Sequence, residues 1–547
     1  MKGSEVIVHK LVEENVGVVF GIPGVHILPI YDALYDHKEI RLITTRHEQG
    51  AAFMADGYAR ASGNPGVCLL AAGPGATNAL TAVSTAYLDS SPLLVLAGGV
   101  HTTSVGRGAL HEINQLQMFQ SITKWSVRVR SFEELSTSLS KAFFIMRSGR
   151  PRPVYVELPL DVLFQEGELR SSFKISETKP SAEPMVIKEV ANLLLSASRP
   201  VIIAGGGVVN GGAHSELLEL SEFLQAPVIT TIMAKGVFPE DSPLSFGLLR
   251  DDDIILPQAD VVLALGCRFS ERSTKAWSLK LPLNLIQVDI DYTEIGKNYP
   301  VKVGIVSDVK EFLSGLLKEL KSRGVHFSRR EWLDRLITLK KSYRIDEELK
   351  LCSEKASIKP QHMMMLLSEL IPKNAVVVCD AGNNAIWAER LIKKYTPRTF
   401  IEPSGNTTMG FSVPAAIGAK LANRENPVVS ICGDGGFIMS CNEIATAVQE
   451  ELPITIVILN DGGFGAIRHF QKACYKERYI GVDLLNPDFK KLAESFGAIG
   501  VTALTLNEFK EAFDIALKAD KVTVIDVHID KEEAPSRPSS FIDKYKP

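Results

Sequence analysis

The chain is expected to fold as three α/β domains, each built on a doubly wound, mostly parallel sheet. Three observations lead there. A length of 547 residues exceeds what one hydrophobic core normally fills, and chains of this size divide into domains. Short apolar, β-branched runs alternate with segments of helical spacing along the sequence, the pattern of parallel strands joined by crossover helices. Two polar, charge-rich stretches, 164–184 and 315–359, interrupt that alternation and read as connectors, the second of them helical. The division that follows is 1–165, 184–330 and 358–530, with 531–547 as a Pro- and Ser-containing tail.

In the first domain the spacing predicts a helix over 4–15, a strand over 18–20 and a loop at Gly21-Ile22-Pro23-Gly24. A second strand over 42–45 leads into a helix over 48–60, whose Ala51, Ala52, Ala55 and Ala59 permit close approach of a neighbour. The run 67–72 reads as a buried strand ending in Gly73-Pro74-Gly75-Ala76-Thr77-Asn78, and the runs 93–97 and 154–158 complete the sheet. The second domain opens with a strand over 200–204, continues through 228–232, 261–265 and 285–290, and fades after Ile305. The third starts with a strand over 375–379 and ends near Ile529. The first and third domains are expected to be similar in build.

Composition excludes several classes of function. A net charge of −4, a pI near 6.3 and the lack of any Lys/Arg cluster leave no footprint for nucleic acid or an anionic membrane. The longest apolar runs, such as 93–100, fall far short of a membrane span. Seven scattered cysteines form no Cys-x-x-Cys pair and read as small core residues. With no signal peptide at Met1-Lys2-Gly3-Ser4, a reducing, cytoplasmic setting is expected.

The stretch 428–470 carries the chemistry. An apolar strand over 428–432 runs into Gly433-Asp434-Gly435-Gly436, a helical segment follows, and a second buried strand over 454–459 ends at Asn460-Asp461-Gly462-Gly463. Asp434 and Asn460 therefore fall at the carboxyl ends of strands, where an open α/β sheet binds its ligand. Mg²⁺ is commonly held by one or two such oxygens, with phosphates, carbonyls and water filling the octahedron. Gly433, Gly435 and Gly436 leave backbone N–H groups open to a diphosphate at a helix start. Each segment alone is explained by a tight turn; their paired placement is what points to a metal and a diphosphate.

Gly-Asp-Gly, a spacer of this length and Asn at a strand end form the thiamine-diphosphate signature. From about residue 3 to its end the chain resembles the acetolactate synthase, 2-oxo acid decarboxylase and benzaldehyde lyase group. The resemblance implies that Asp434, Asn460 and the carbonyl of Gly462 bind Mg²⁺, which holds the cofactor's diphosphate. Arg46 to Arg60 looks like the catalytic-glutamate segment of the group, so that Glu48 would hydrogen-bond the aminopyrimidine ring and promote loss of the thiazolium C2 proton. Pro23, Pro74 and Asn78 would line the cofactor in the first domain. Met409 would prop it in a bent shape, and Gly382, Asn383 and Asn384 would touch the diphosphate, where the synthases carry Gln and His.

Two departures from the synthases concern histidines. His26 matches a catalytic histidine of the benzaldehyde lyase type, and His111 stands where synthases typically have Gln; both are candidates for proton transfer. Lys124 lies in a segment shared by synthases and lyases, and Phe470 takes the place of a tryptophan that helps synthases choose the second substrate. In the middle domain Gly205-Gly206-Gly207-Val208-Val209-Asn210 fails the Gly-x-Gly-x-x-Gly test at Asn210, and the strand after it lacks a ribose-binding acid, so NAD is not expected. Gly266 to Arg272 is similar to the flavin-contacting segment of acetolactate synthases, which leaves FAD open.

The function implied is acetolactate synthase-like carboligation: decarboxylation of pyruvate and transfer of the two-carbon unit to a second 2-oxo acid. A nonoxidative 2-oxo acid decarboxylase or a benzaldehyde-lyase-type enzyme is the alternative. The resemblance further implies a homodimer or homotetramer with the active site at the subunit interface, and leaves a regulatory subunit open.

Overall fold

The computed structural model describes residues 1–168, 178–251, 254–324, 328–342, 357–536 and 542–546. Three six-stranded sheets, parallel throughout, follow one another along the chain. The first holds β1 (Val18–Gly21), β2 (Arg41–Thr44), β3 (Gly66–Leu70), β4 (Leu93–Gly99), β5 (Trp125–Arg128) and β6 (Val154–Pro159) in the order β2-β1-β3-β4-β6-β5. The second holds β7 (Pro200–Ala204), β8 (Val228–Thr230), β9 (Ser245–Leu248), β10 (Val261–Leu265), β11 (Leu285–Asp289) and β12 (Val303–Val306), ordered β12-β11-β10-β7-β8-β9. The third holds β13 (Val376–Cys379), β14 (Phe400–Ile401), β15 (Val428–Gly433), β16 (Thr455–Asn460), β17 (Ile499–Ala503) and β18 (Thr523–His528), ordered β14-β13-β15-β16-β18-β17. Counted within each sheet, the first and third share one order, and the second has the order of dinucleotide-binding folds.

The central strands of each sheet are buried, apart from the half-buried last residues Gly433 of β15 and Asn460 of β16, as two-sided coverage by helices requires. Hydrophobic pattern does not single out the edge strands β5, β9, β12, β14 and β17. All of β5 is half-exposed, and β12 alternates buried and exposed residues. The interior strand β18 is also missed, because Asp526 interrupts its apolar run. The stretch from Gly315, expected to be a connector, belongs instead to the body of the second domain. The helix Val309–Ser322 buries Phe312, Leu313, Leu316, Leu317 and Leu320, and the helix Arg330–Ser342 buries Trp332 and Leu336. Glu331, Asp334 and Arg335 sit on the exposed face of the latter. Residues 325–327 and 343–356 of that connector, and 169–177 of the earlier one, lie outside the described residues.

One apolar core runs through both the first and third domains and takes in Ala51, Ala55, Ala415 and Ala419. It forms where the helix Glu48–Ser62 crosses the helix Ser412–Ala422. A Cβ placed on Gly57 would collide with the carbonyl oxygen of Ala415, and one on Gly418 with that of Met54. The two helices thus meet backbone to backbone, a separation that only glycine at the crossing permits.

Gly418→Val is expected to destabilise the protein by about 1–3 kcal/mol or more through overpacking, read as a lowered urea midpoint. An unchanged midpoint would contradict the crossing.

Candidate active site at two sheet edges

The candidate residues gather at the carboxyl edges of the first and third sheets, next to the β1/β3 and β13/β15 switch points. In the third sheet Gly433 pairs in register with Leu459. This sets Asp434, the residue after β15, beside Asn460, the last residue of β16. Asp434 is 1% exposed. Its Oδ2 accepts from Asn486 Nδ2 at 2.6 Å, while its Oδ1 is buried with no hydrogen-bond partner. Asn460 Oδ1 accepts from the Gly462 N–H at 3.2 Å and, weakly, from the same Asn486 amide at 3.4 Å. The Gly462 carbonyl accepts from Leu484 N–H at 2.8 Å and keeps a second lone pair.

Burial raises the pKa of Asp434, and it pushes Asp461 up to about 7, with the charge of Asp434 as the next cause. A divalent cation would offset both effects. A cavity of about 590 Å³ opens beside these groups, lined in part by Asn460, Asp461, Gly462, Asn486, Asp526 and His528. Among the described residues no group of three His, Cys, Asp or Glu side chains is placed to hold a metal. The donors on offer are one carboxylate, one amide and one carbonyl, an all-oxygen set that suits Mg²⁺. The orphaned Asp434 oxygen fits that ion.

Behind the turn around Asp434, against Gly436, lies Asp380, which sequence reasoning missed. This fully buried carboxylate accepts from the N–H groups of Ala381 (2.8 Å), Gly410 (3.0 Å) and Ser412 (3.0 Å), and burial pushes its pKa up to about 6. It thereby fastens the Met409 loop to the end of β13. Met409 Cε lies 3.5 Å from the position of a Cβ on Gly435, and a Cβ on Gly436 would sit 2.9 Å from Asp380 Oδ1. A Cβ on Gly433 would make only ordinary contacts, with Asn384 Oδ1 at 3.9 Å and the Leu459 carbonyl oxygen at 4.0 Å. Asn384 Nδ2 donates to the carbonyls of Asp380 (2.9 Å) and Ile431 (3.3 Å), bridging the two strand ends. Gly382, with φ of +136°, makes the turn before it, and Asn383 is buried with its amide near Gly465.

At the first sheet edge Glu48 opens its helix, where the macrodipole favours a carboxylate. Asn78 Nδ2 donates to Glu48 Oε2 at 2.9 Å, so the loop after β3 reaches the acid directly. Glu48 is half-buried, and Pro23, Pro74 and Asn78 are exposed around it. The rings of His26 and His111 lie 5.2 Å apart, and the Nδ1 atom of each is buried without a partner. Burial, then the charge of His111, lowers the pKa of His26. His111 adopts a left-handed backbone (φ 66°) against Gly73, where a Cβ would sit 2.8 Å from its own. Gln115, also unforeseen, accepts from Gly73 N–H at 3.0 Å and donates to the Gly98 carbonyl at 2.6 Å. It ties together the loops that carry this cluster.

The start of the Glu48 helix is anchored by the third domain. Glu443, buried there, accepts from the N–H groups of Arg46 (3.1 Å) and His47 (2.9 Å) and from the Thr446 hydroxyl (2.7 Å). Gly50 makes room, since a Cβ there would strike the Glu443 carboxyl. Two candidates are engaged elsewhere. Lys124 Nζ donates to the carbonyls of Ser148 and Arg150, and the Phe470 ring packs edge-on against Tyr545.

The glycines at 205–207 are accounted for by packing. A Cβ on Gly205 would meet the Gly266 carbonyl, and one on Gly207 would lie 2.6 Å from Gly266 Cα. A cavity of about 320 Å³ nevertheless lies there, where the three domains meet, with Gly266, Arg268, Phe269, Asp89 and Glu402 in its wall.

Three family models match the chain in order: the N-terminal TPP binding domain of thiamine pyrophosphate enzymes over residues 1–118, the central domain over 187–316, and the C-terminal TPP binding domain over 380–527. The chain belongs to the thiamine pyrophosphate enzyme family, and the two edges described above fall in its two binding domains. Within that family it is similar to the probable acetolactate synthase large subunit of Methanocaldococcus jannaschii, at 40% identity over 98% of this chain and 93% of the relative. It is 35% identical to the acetolactate synthase isozyme 3 large subunit of Escherichia coli (97% and 96% covered) and 36% identical to an acetolactate synthase of Mycobacterium bovis (92% and 83%).

Asp380→Ala strips the acceptor from three buried N–H groups. Its expected cost is about 1–3 kcal/mol for each donor left unpaired, seen as a fall in stability in denaturant titration.

Proposed function

We propose that the chain is a thiamine-diphosphate-dependent carboligase of the acetolactate synthase type, which decarboxylates pyruvate and joins the two-carbon unit to a second 2-oxo acid. The reading rests first on the buried, unpartnered Asp434 Oδ1 beside Asn460 Oδ1. The names of the relatives support the choice of reaction. Bound thiamine diphosphate supplies the electron sink for decarboxylation. In this reading Asp434, Asn460 and the Gly462 carbonyl hold Mg²⁺, and the turn of Gly433, Gly435 and Gly436 offers backbone N–H groups to the diphosphate, with the Phe464 ring and Asp380 packed against Gly435 and Gly436. Met409 shapes the floor. Glu48 holds or moves the proton that activates the aminopyrimidine, with Asn78 fixing its carboxylate. His26 and His111 are the groups at the same edge able to donate or accept a proton at carbon or oxygen.

The two edges are proposed to complete one another across a dimer. Exposed apolar side chains cluster at both: Val25, Leu28 and Leu110 at the first, Met439, Ile467, Ile480 and Leu485 at the third, with Leu110 71% and Ile480 81% exposed. Such patches mark interaction surfaces. A second copy would cover Glu48 and remove it from water. A regulatory partner belongs to the same reading, since the M. jannaschii and E. coli relatives are called large subunits. FAD, if held, would take the cavity at Gly266 to Phe269, and a visible flavin band in the purified protein tests this. No helix among the described residues is long and apolar enough to cross a membrane.

Incubation with pyruvate, Mg²⁺ and thiamine diphosphate is expected to yield acetolactate, and acetaldehyde as the main product would overturn the carboligase reading. Glu48→Gln is expected to retain the cofactor and lose about 10²- to 10⁴-fold in turnover, measured as acetolactate formed. Sedimentation is expected to show a species of at least twice the 59.8 kDa chain mass.

A further inference from the structure

Asn460 can serve a cation only with its oxygen turned toward Asp434, because the amide's other end carries two N–H donors that would repel the ion. Distance alone does not distinguish the two ends of an amide, but unambiguous neighbours do. Two such neighbours are present. The backbone N–H of Gly462 can only donate, and it meets Oδ1 at 3.2 Å. Asp526 Oδ1 lies 2.9 Å from Nδ2.

Asp526 stands on β18, where it pairs in register with Ile458, two residues before Asn460. It is 5% exposed, and its Oδ2 is engaged by His528 Nε2 at 3.2 Å. A buried carboxylate in the middle of a sheet is costly unless its lone pairs are used. Both oxygens here are used, one of them on the Asn460 amide.

We infer that Asp526 is a positioning residue for Mg²⁺: it locks the Asn460 amide with its oxygen facing Asp434, and so presets the cation's donor pair before the ion arrives. This rests on the reading of Asp434 and Asn460 as Mg²⁺ donors. Asn486 complements it from the opposite side. Its amide holds Asp434 Oδ2 at 2.6 Å and leaves Oδ1 free, while its 3.4 Å contact with Asn460 Oδ1 is weak enough for an ion to displace. The ligand oxygens are thus oriented by a carboxylate and an amide that need not touch the metal, the arrangement that tunes affinity in metal sites generally.

The test is calorimetric titration of Mg²⁺ into full-length protein with saturating thiamine diphosphate and no substrate. Asp526→Leu, which keeps the branched four-atom skeleton and removes the acceptor, is expected to weaken Mg²⁺ binding by about 10- to 100-fold, with kcat near that of the wild type once Mg²⁺ saturates. Asp526→Asn, whose carbonyl still accepts from Nδ2, is expected to retain most of the affinity. The double variant Asn460→Asp with Asp526→Leu separates orientation from structure. A carboxylate at 460 offers an oxygen whichever way it turns, so the double variant should bind Mg²⁺ more tightly than Asp526→Leu alone. A merely structural defect would persist in it. Equal affinity in wild type and Asp526→Leu, or no recovery in the double variant, overturns the inference. Wild-type protein that takes up no Mg²⁺ with thiamine diphosphate overturns the donor assignment itself.

Discussion

The candidate site depends on a crossing of two helices at van der Waals contact between main chains. Gly57 and Gly418 let the helix that begins at Glu48 lie against the helix Ser412–Ala422, and Glu443 then fixes the start of the first helix through the N–H groups of Arg46 and His47. The position of the acid in the first domain is therefore set by the third. The same core that joins these helices continues under β15 and β16, so the loop with Asp434 and the loop with Glu48 are referred to one rigid frame. A lost methylene in that frame would be felt at both edges, because close-packed interiors transmit strain.

Around the third edge, carboxyl groups are held where they are expensive. Asp380, Asp434, Asp461 and Asp526 are all raised by burial, yet each is given donors or a neighbour that limits the cost. Asp380 spends its oxygens on three main-chain N–H groups and has a structural task. Asp434 differs in keeping one oxygen unused. That contrast, between a satisfied buried acid and an incompletely satisfied one at the same sheet edge, sets Asp434 apart from the scaffold more sharply than burial does.

How much of this was legible in the sequence follows from how local each signal is. Asp434 and Asn460 could be found because each ends an apolar strand and is followed by glycines, features contained within a few consecutive residues. Glu48 stood out only through the resemblance of Arg46 to Arg60 to a catalytic-glutamate segment, since a carboxylate at a helix start is by itself routine. Glu443, Asp380, Gln115, Asn486 and Asp526 could not, since each acts on residues far away in the chain and sits in an unremarkable local context. The edge strands escaped for a related reason: β5 and β12 are partly open to water and carry no continuous apolar run. The stretch from Gly315 misled because Lys318, Lys321, Glu331, Asp334 and Arg335 lie on the exposed side of helices whose other side is core.

The strand order shared by the first and third sheets bears on assembly. Two lookalike modules at opposite ends of one polypeptide give every copy a donor surface and an acceptor surface of similar twist. Were unlike modules of two copies to meet about a twofold axis, the contact would be made twice and the union would close on itself; without that axis the same two faces would string copies into a filament. Duplication of one architecture within a chain thus makes the choice of symmetry operator, and not the chemistry of either face, what would decide between a closed pair and an open fibre.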